Sequence, residues 1–367
     1  MKMNFKQAIA AALILSSTAS AVAWADDPPK PAPGTVAGIL DASGITESGY
    51  VAASYYHSNG YSTFHQFDVQ HDTFQLDQAA FTLAYQPKEG FGALVNIAAG
   101  EDMKILHAAE DGNSNTFDVV QGFIQYAAGP LTVIAGKYVT LAGAEVIAPT
   151  GNTQFSRSLL FFAEPLTHTG VRATYAISET FSIVGGVNNG WNTTSTSYGS
   201  KTGEFGIGWT PNKIFALTAQ AYVGKTLPYD AQKTLIDFVA TYNATDALTV
   251  ILTYDWGKQK QHTNGASDLS WNGAALYANY AISDQFRTSV RLEYLDDKDG
   301  FNTGTKETLK EATLTFGYDP IKSFELRIEA RYDMGNKATP TFVRKIGNPP
   351  ILANSQTGIA LQGVFKF

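Results

Sequence analysis

A hairpin signature recurs seven times along this chain, and it constrains the fold more than any other feature. An aromatic residue closes one segment, a short polar turn follows, and an apolar residue opens the next. The instances are Tyr85 to Phe91, Tyr126 to Leu131, Tyr175 to Phe181, Trp209 to Phe215, Tyr242 to Leu248, Tyr280 to Phe286 and Tyr318 to Phe324. Turn-forming residues lie between them: Pro87, Gly129-Pro130, Ser178, Pro211-Asn212, Asn243, Ser283-Asp284 and Asp319-Pro320. Phe367 stands where an eighth such aromatic would fall. The pattern puts tight turns at one end of a meander of strands and rings that end with aromatic side chains. Aromatic rings suit a membrane–water boundary, with one edge apolar and the other able to hydrogen-bond. Such a girdle is expected of a transmembrane β-barrel.

The periodicity predicts sixteen strands, near 49–57, 76–86, 91–100, 117–126, 131–139, 168–177, 181–189, 202–210, 214–224, 233–242, 247–257, 271–280, 285–295, 309–318, 324–333 and 356–367. Lengths near ten residues match tilted strands crossing a bilayer. Connections alternate strictly between seven short turns and eight longer loops rich in Gly, Asn, Asp, Ser and Lys. The predicted fold is therefore all-β, a transmembrane antiparallel up-and-down β-barrel of about 16 strands with short turns on the periplasmic side. In most strands the apolar residues alone choose the lipid face, as with Phe324, Leu326, Ile328, Ala330 and Tyr332, or Ile359, Leu361, Phe365 and Phe367. The charged residues then fall on the opposite face: Arg172, Glu204, Asp237, Asp255, Arg287, Arg291, Glu293, Glu311, Glu325, Arg327, Glu329, Arg331, Asp333 and Lys366. Strands 49–57, 117–126 and 131–139 are ambiguous. Lys137 is assigned inward because a lysine facing lipid at mid-depth costs roughly 2–4 kcal/mol. About sixteen strands leave an aqueous lumen, where eight would fill with side chains.

Residues 1–25 read as a secretory signal: Lys2 and Lys6, a short apolar core from Ala8 to Leu15, and the small-x-small site Ala23-Trp24-Ala25. Residues 26–48 form a proline-rich periplasmic lead-in, and residues 49–367 the barrel. A lead-in of that length is too short for a plug domain of the kind TonB-type receptors carry. No segment is apolar for the roughly 18 residues a transmembrane helix needs, so strands must do the spanning. The chain has no cysteine, hence no disulfide framework and no thiolate metal site. A formal charge of −7 with no basic cluster argues against nucleic acid. No Gly-x-Ser-x-Gly, His-Glu-x-x-His or Walker loop is present.

The chain resembles a Gram-negative outer-membrane porin, and specifically the putative β-barrel porin-2, OmpL-like family, from about Gly38 to Phe367. The resemblance is carried by Gly136-Lys137, Glu145-Val146, Asn152, Phe155-Ser156-Arg157-Ser158-Leu159-Leu160, His168-Thr169-Gly170-Val171, the opening Gly49-Tyr50-Val51 and the terminal Phe367. It implies a porin-like channel in the outer membrane and no particular substrate. A final aromatic in an alternating last strand resembles the signal read by the barrel-assembly machinery. Sixteen-stranded general porins are usually trimers, which makes a homo-trimer a fold-level analogy.

The third long loop, Thr140 to Thr167, is the longest and contains the apolar run Leu159 to Phe162 followed by Pro165. In general porins this loop folds into the lumen. The resemblance then places Glu145, Arg157 and His168 at or near a constriction, while their inward assignments above put Lys137 and Arg172 on the pore lining. The other reading packs the apolar run on the rim or against a neighbouring subunit. Arg287, Arg291, Arg327 and Arg331 make two inward rows. They either face the acidic side of the loop and set a transverse field, or form a wall neutralised by Glu293, Glu311, Glu325 and Glu329. His57, His65, His71, Asp68 and Asp72 cluster around the first loop without a defined metal motif and read as a solvated surface loop. Glu101, Asp102, Glu110 and Asp111 in the second loop likewise read as solvated charge. No metal or cofactor is implied. The expected function is passive diffusion of ions and small hydrophilic solutes through an outer-membrane porin. The alternatives are a substrate-specific channel for sugars, peptides or organic acids, which Tyr222 and Tyr277 support only weakly, a non-conducting adhesin or structural barrel, and a barrel enzyme.

Overall fold

The computed structural model describes residues 43–196, 199–226, 231–260, 267–336, 341–346 and 349–367. The signal segment and most of the lead-in lie outside these residues. All sixteen expected strands are present, and they close into one antiparallel barrel in sequence order. They are β1 (Thr46–Ser58), β2 (Thr73–Tyr85), β3 (Gly90–Ala99), β4 (Phe117–Ala128), β5 (Leu131–Val139), β6 (Thr167–Ala176), β7 (Phe181–Asn188), β8 (Thr202–Trp209), β9 (Phe215–Thr226), β10 (Ala231–Asn243), β11 (Leu248–Gln259), β12 (Leu269–Ala281), β13 (Phe286–Asp297), β14 (Glu307–Ile321), β15 (Phe324–Met334) and β18 (Ser355–Lys366). A two-stranded hairpin, β16 (Phe342–Lys345) and β17 (Ile351–Ala353), occupies the last long loop.

The hairpin signature becomes a belt through strand register. The aromatic that ends one hairpin stands opposite the residue that opens its neighbour: Phe91 pairs with Tyr126, Tyr175 with Leu131, Trp209 with Phe181, Tyr242 with Phe215, Tyr280 with Leu248 and Tyr318 with Phe286. Phe324 pairs with Phe365 and completes the circuit. Rings touch along it, with Phe286 stacked on Tyr318 at 4.6 Å and Phe91 tilted on Tyr126 at 5.0 Å. Exposed Tyr254, Tyr294 and Tyr332 lie farther up the same faces and begin a second belt. Tyr332 is eight residues beyond Phe324, about 27 Å along the strand. That length suits the apolar band of an outer-membrane barrel once tilt is taken into account.

The barrel closes where β1 meets β18, from Tyr50 opposite Lys366 to Ser58 opposite Gly358. Gly49 and Phe367 exchange backbone hydrogen bonds at 2.8 and 3.0 Å. A side chain at Gly49 would run into the Phe367 ring, so this corner admits only glycine.

The alternation holds as expected in β15 and β18. Leu326, Ile328, Ala330 and Tyr332 are exposed, while Glu325, Arg327, Glu329, Arg331 and Asp333 are buried. β4 was ambiguous for a physical reason. A bulge lets its register slip between the pairs Asn96–Gln121 and Ile97–Val119, which turns both Val120 and Gln121 away from lipid. The pairing of β4 with β5 stops at Gly122–Lys137, so the upper part of β4 has no ladder on that side.

The second and third long loops turn inward. The second holds a helix, α1 (Glu101–Asp111), whose Met103 and Leu106 are fully buried with Phe67, Ala80, Ala98 and Val120. The third, L3 (residues 140–166), holds a one-turn helix, α2 (Leu159–Ala163), capped by the Ser158 hydroxyl accepting the Phe161 amide at 2.9 Å. Its Leu159 and Leu160 pack with Tyr222, Leu235, Trp271, Ala275, Tyr277 and Leu295 of the wall, and its Phe161 packs with Phe67, Met103 and Leu106. The apolar run that sequence left open between lumen and rim thus lies inside the barrel.

Candidate pore constriction

L3 is bound to the inner wall through its backbone. Arg287 donates to the Thr153 carbonyl at 2.6 Å, Arg327 to those of Pro149 and Gln154 at 3.0 and 3.2 Å, and Arg331 to that of Arg157 at 2.6 Å. Arg291 donates to the Ser156 carbonyl at 2.9 Å and to Glu145 at 2.8 Å. The glutamates between these arginines take the loop's amides. Glu329 accepts from Phe155 and Ser156 at 2.8 and 3.0 Å, and Glu293 accepts from Leu159 at 2.7 Å. Wall cations therefore meet loop carbonyls and wall anions meet loop N–H groups, which satisfies a peptide segment removed from water.

This corrects two expectations. The arginine rows do not face open water, since Arg291, Arg327 and Arg331 are at most 3% exposed. Arg291 does face the loop's Glu145, but in direct contact, so that pair sets no field across open water. The paired-wall reading holds in part: Arg291 is bound to Glu311 and Glu293, Arg327 to Glu325, Arg331 to Asp333, and Arg287 to Glu325.

Arg157 is buried within L3 itself. It donates to the carbonyls of Val146, Phe155 and Ile147, each at 2.8 Å, and its guanidinium lies over the Phe67 and Phe161 rings. Burial lowers its pKa from the ordinary arginine value. Arg157 braces the loop and does not present charge to a passage. Asn152 supports the same turn, donating to the Val146 and Ala148 carbonyls at 2.8 Å and accepting the Val146 amide at 3.0 Å. Ser158 donates its amide to Glu145 at 2.7 Å.

On the opposite wall, Arg172 pairs with Glu204 at 2.6 Å and covers the Tyr138 ring at 4.2 Å. His168 is fully buried, stacked on Tyr222 at 4.7 Å, with Nδ1 3.1 Å from the Gly190 carbonyl. Tyr222 links it to L3, its hydroxyl accepting the Leu141 amide at 3.0 Å. Lys137 departs from the simple inward assignment. Its register partners, Gly122 and Thr169, belong to the alternating set that exposes Ile124 and Val171. Its ammonium is bound at 2.7 Å by both Asp118 and Glu110, where β4 and β5 part. Pairing, rather than strand alternation, keeps this charge out of hydrocarbon.

Sequence reasoning missed the buried loop charges. Asp102, read as solvated, is buried under L3 and accepts from Gln78 at 2.8 Å. Burial raises its pKa well above the carboxylate range, with Asp77 adding to the effect. His65 and Asp68, read as surface, are buried against the wall: the His65 ring lies 2.6 Å from Asp68 and 3.1 Å from Asp333. His57, His71 and Asp72 are indeed an exposed cluster. The spacing of Met103 and Leu106 on one face of an acidic segment was the available signal for α1. Between L3 and strands β1, β3, β4 and β5 a small cleft of about 50 Å³ remains, lined among others by Tyr50, Asn96, Gln121, Thr140, Glu145 and Phe161.

A sixteen-stranded barrel with its third loop folded inward is the arrangement expected of the family that the sequence resembles. The family model described as "Putative beta-barrel porin-2, OmpL-like" matches residues 44–367. The chain belongs to this family. It is an outer-membrane porin. No curated protein sequence matches it. Among solved structures, the porin is similar to an anion-selective porin from Comamonas acidovorans (13% identity, 88% of this chain and 99% of that one, TM-score 0.62). It is also similar to the outer membrane channel DcaP of Acinetobacter baumannii (12%, 88% and 97%, 0.61) and to OprB of Pseudomonas putida (13%, 91% and 97%, 0.58). At such identities the likeness carries the fold alone.

Proposed function

We propose that this porin passes ions and small hydrophilic solutes by passive diffusion, and that L3 sets the constriction. The observation that carries this reading is the binding of L3 to Arg287, Arg291, Arg327 and Arg331, which fixes the loop across the lumen against β13 and β15. On this reading the passage runs on the other side of the loop, along the small cleft beside β3–β5, a mainly apolar lining in which Asn96, Gln121, Thr140 and Glu145 are the polar groups. Tyr222 and Tyr277 are buried against L3 and form no aromatic row along that cleft, so a sugar-type track finds no support. The family and the missing nucleophile motifs favour a channel over an enzyme. Exposed Phe367 at the periplasmic rim is the residue we assign to recognition by the barrel-assembly machinery, and a homo-trimer is our working assembly by analogy of fold.

Planar-bilayer recording of the purified porin in asymmetric salt tests the reading. A steady conductance is expected, and the reversal potential reads the ion preference that the lumen charges leave. A second reading is favoured by how completely the loops fill the lumen: a barrel that conducts only while L3 is undocked. Its signature is brief openings from a silent baseline. A barrel with no conductance in any salt would refute both.

A further inference from the structure

Three carboxylates meet where the far limb of L3 reaches the wall opposite the arginine rows. Glu164 follows α2, and Asp237 and Asp255 face each other across β10 and β11. All are buried, and each offers an oxygen within 4.8 Å of the other two. Among the described residues none of the three forms an ion pair with a lysine, arginine or histidine. Asp255 is fully inaccessible, and among the described residues its oxygens meet no donor from outside the cluster, only the carboxyl groups of Asp237 and Glu164. Asp237 accepts from Thr253 at 3.4 Å and from the Gly143 backbone amide, neither of which carries a charge. Other buried carboxylates of this lumen meet either a cation, as Glu204 meets Arg172, or neutral hydrogen-bond donors from outside any acidic cluster, as Asp77 meets Ser54 and Gln362 and Asp102 meets Gln78. The second acidic cluster, His107, Glu110 and Asp118, holds the Lys137 ammonium at its centre.

We propose that Glu164, Asp237 and Asp255 form a binding site for a divalent cation of calcium's chemistry, which ties the C-terminal limb of L3 to β10 and β11. Isolated buried carboxylates lose their hydration and demand a compensating charge. A hard cation bound at about 2.4 Å places oxygens on its opposite sides no more than about 4.8 Å apart, the spread that these three residues already show. An all-oxygen donor set excludes the softer metals, and a closed carboxylate cage suits calcium better than magnesium, which keeps several waters. Gly143 belongs to the same construction. Its backbone is left-handed (φ +80°), and a side chain there would overlap the Glu164 carboxylate, so this position lets the acid reach the cluster.

The site goes beyond the channel reading and can fail independently of it, because binding is measured without current. Purified porin in detergent, stripped with EDTA and exchanged into chelator-free buffer, is titrated with calcium chloride by calorimetry. Heat-modifiable gel mobility confirms that each sample is folded. One calcium per chain is expected, with a thermal midpoint that rises with calcium concentration, since a ligand of the folded state alone stabilises it. Asp255→Asn and Asp237→Asn should each weaken binding by at least about tenfold and abolish the calcium-dependent rise, through loss of ligand charge. Asp246→Asn, on an exposed periplasmic turn, should bind as the unaltered porin does. Folded, stripped porin that binds no calcium would overturn the proposal and leave the acids neutralised by protons. So would an Asp255→Asn variant that binds as tightly as the unaltered chain.

Discussion

Neighbouring residues on β15 have opposite environments. Arg327 is buried among Glu325, Gln362 and two L3 carbonyls, while Ile328 beside it is 53% exposed on the lipid face. Arg327→Ala leaves Glu325 with less compensation and should cost about 3–5 kcal/mol. It should also loosen L3, raise single-channel conductance and shift selectivity toward cations. Ile328→Arg puts a charge against hydrocarbon at roughly 2–4 kcal/mol, and should lower the heat-modifiable fraction while leaving the conductance of assembled barrels unchanged. If the two phenotypes were exchanged, the strand register would be wrong by one residue. His65 carries a pH prediction. Burial and Arg331 push its pKa down, but Asp68 and Asp333 outweigh them and raise it above 6.5. The contribution of the charged ring is therefore complete below pH 6.5 and lost as pH rises through the raised value. Proteolysis of the first loop on purified porin should quicken across that rise, and His65→Gln should be fast throughout. A His65→Gln loop that still tightened at low pH would remove the histidine from the account. Sequence gave the inward direction of the arginines, because alternation is a property of the strand. It could not give what they touch, because that depends on where a loop distant in sequence comes to rest.

Elements defined by backbone periodicity were legible, and those defined by tertiary contact were not. Alternating apolar residues marked most barrel strands, and turn residues marked every short connection. β4 and β5 resisted because a bulge and the parting of their ladder interrupt the alternation. α1 escaped because Met103 and Leu106 are diluted among acidic residues whose burial only the lumen explains. L3 was legible as a long apolar-bearing loop, but its docking rests on backbone groups that every sequence possesses. Removing Ala148 to Gln154 takes away the carbonyls that receive Arg287 and two of the bonds from Arg327. The barrel ladders are untouched, so the shortened porin should fold and show larger conductance in bilayers. An unchanged conductance would place the flow path away from this loop.

At the level of the whole molecule, short turns gather at one rim and long loops at the other. Single cysteines at Asn189 and Gly300 should react with an impermeant thiol reagent on intact cells, and cysteines at Asn212 and Ser323 should not. The reverse labelling would invert the barrel. Gly265, on the same long-loop side by sequence, lies outside the described residues. The seam between β1 and β18 has a consequence in time. It joins Tyr50 to Lys366, the two ends of the strand series. Until the last strand arrives, every partial assembly is an open sheet with two unsatisfied edges, and such edges recruit other chains. Because the seam joins the first strand to the last, both edges stay open through every earlier stage of assembly, and only their meeting removes them.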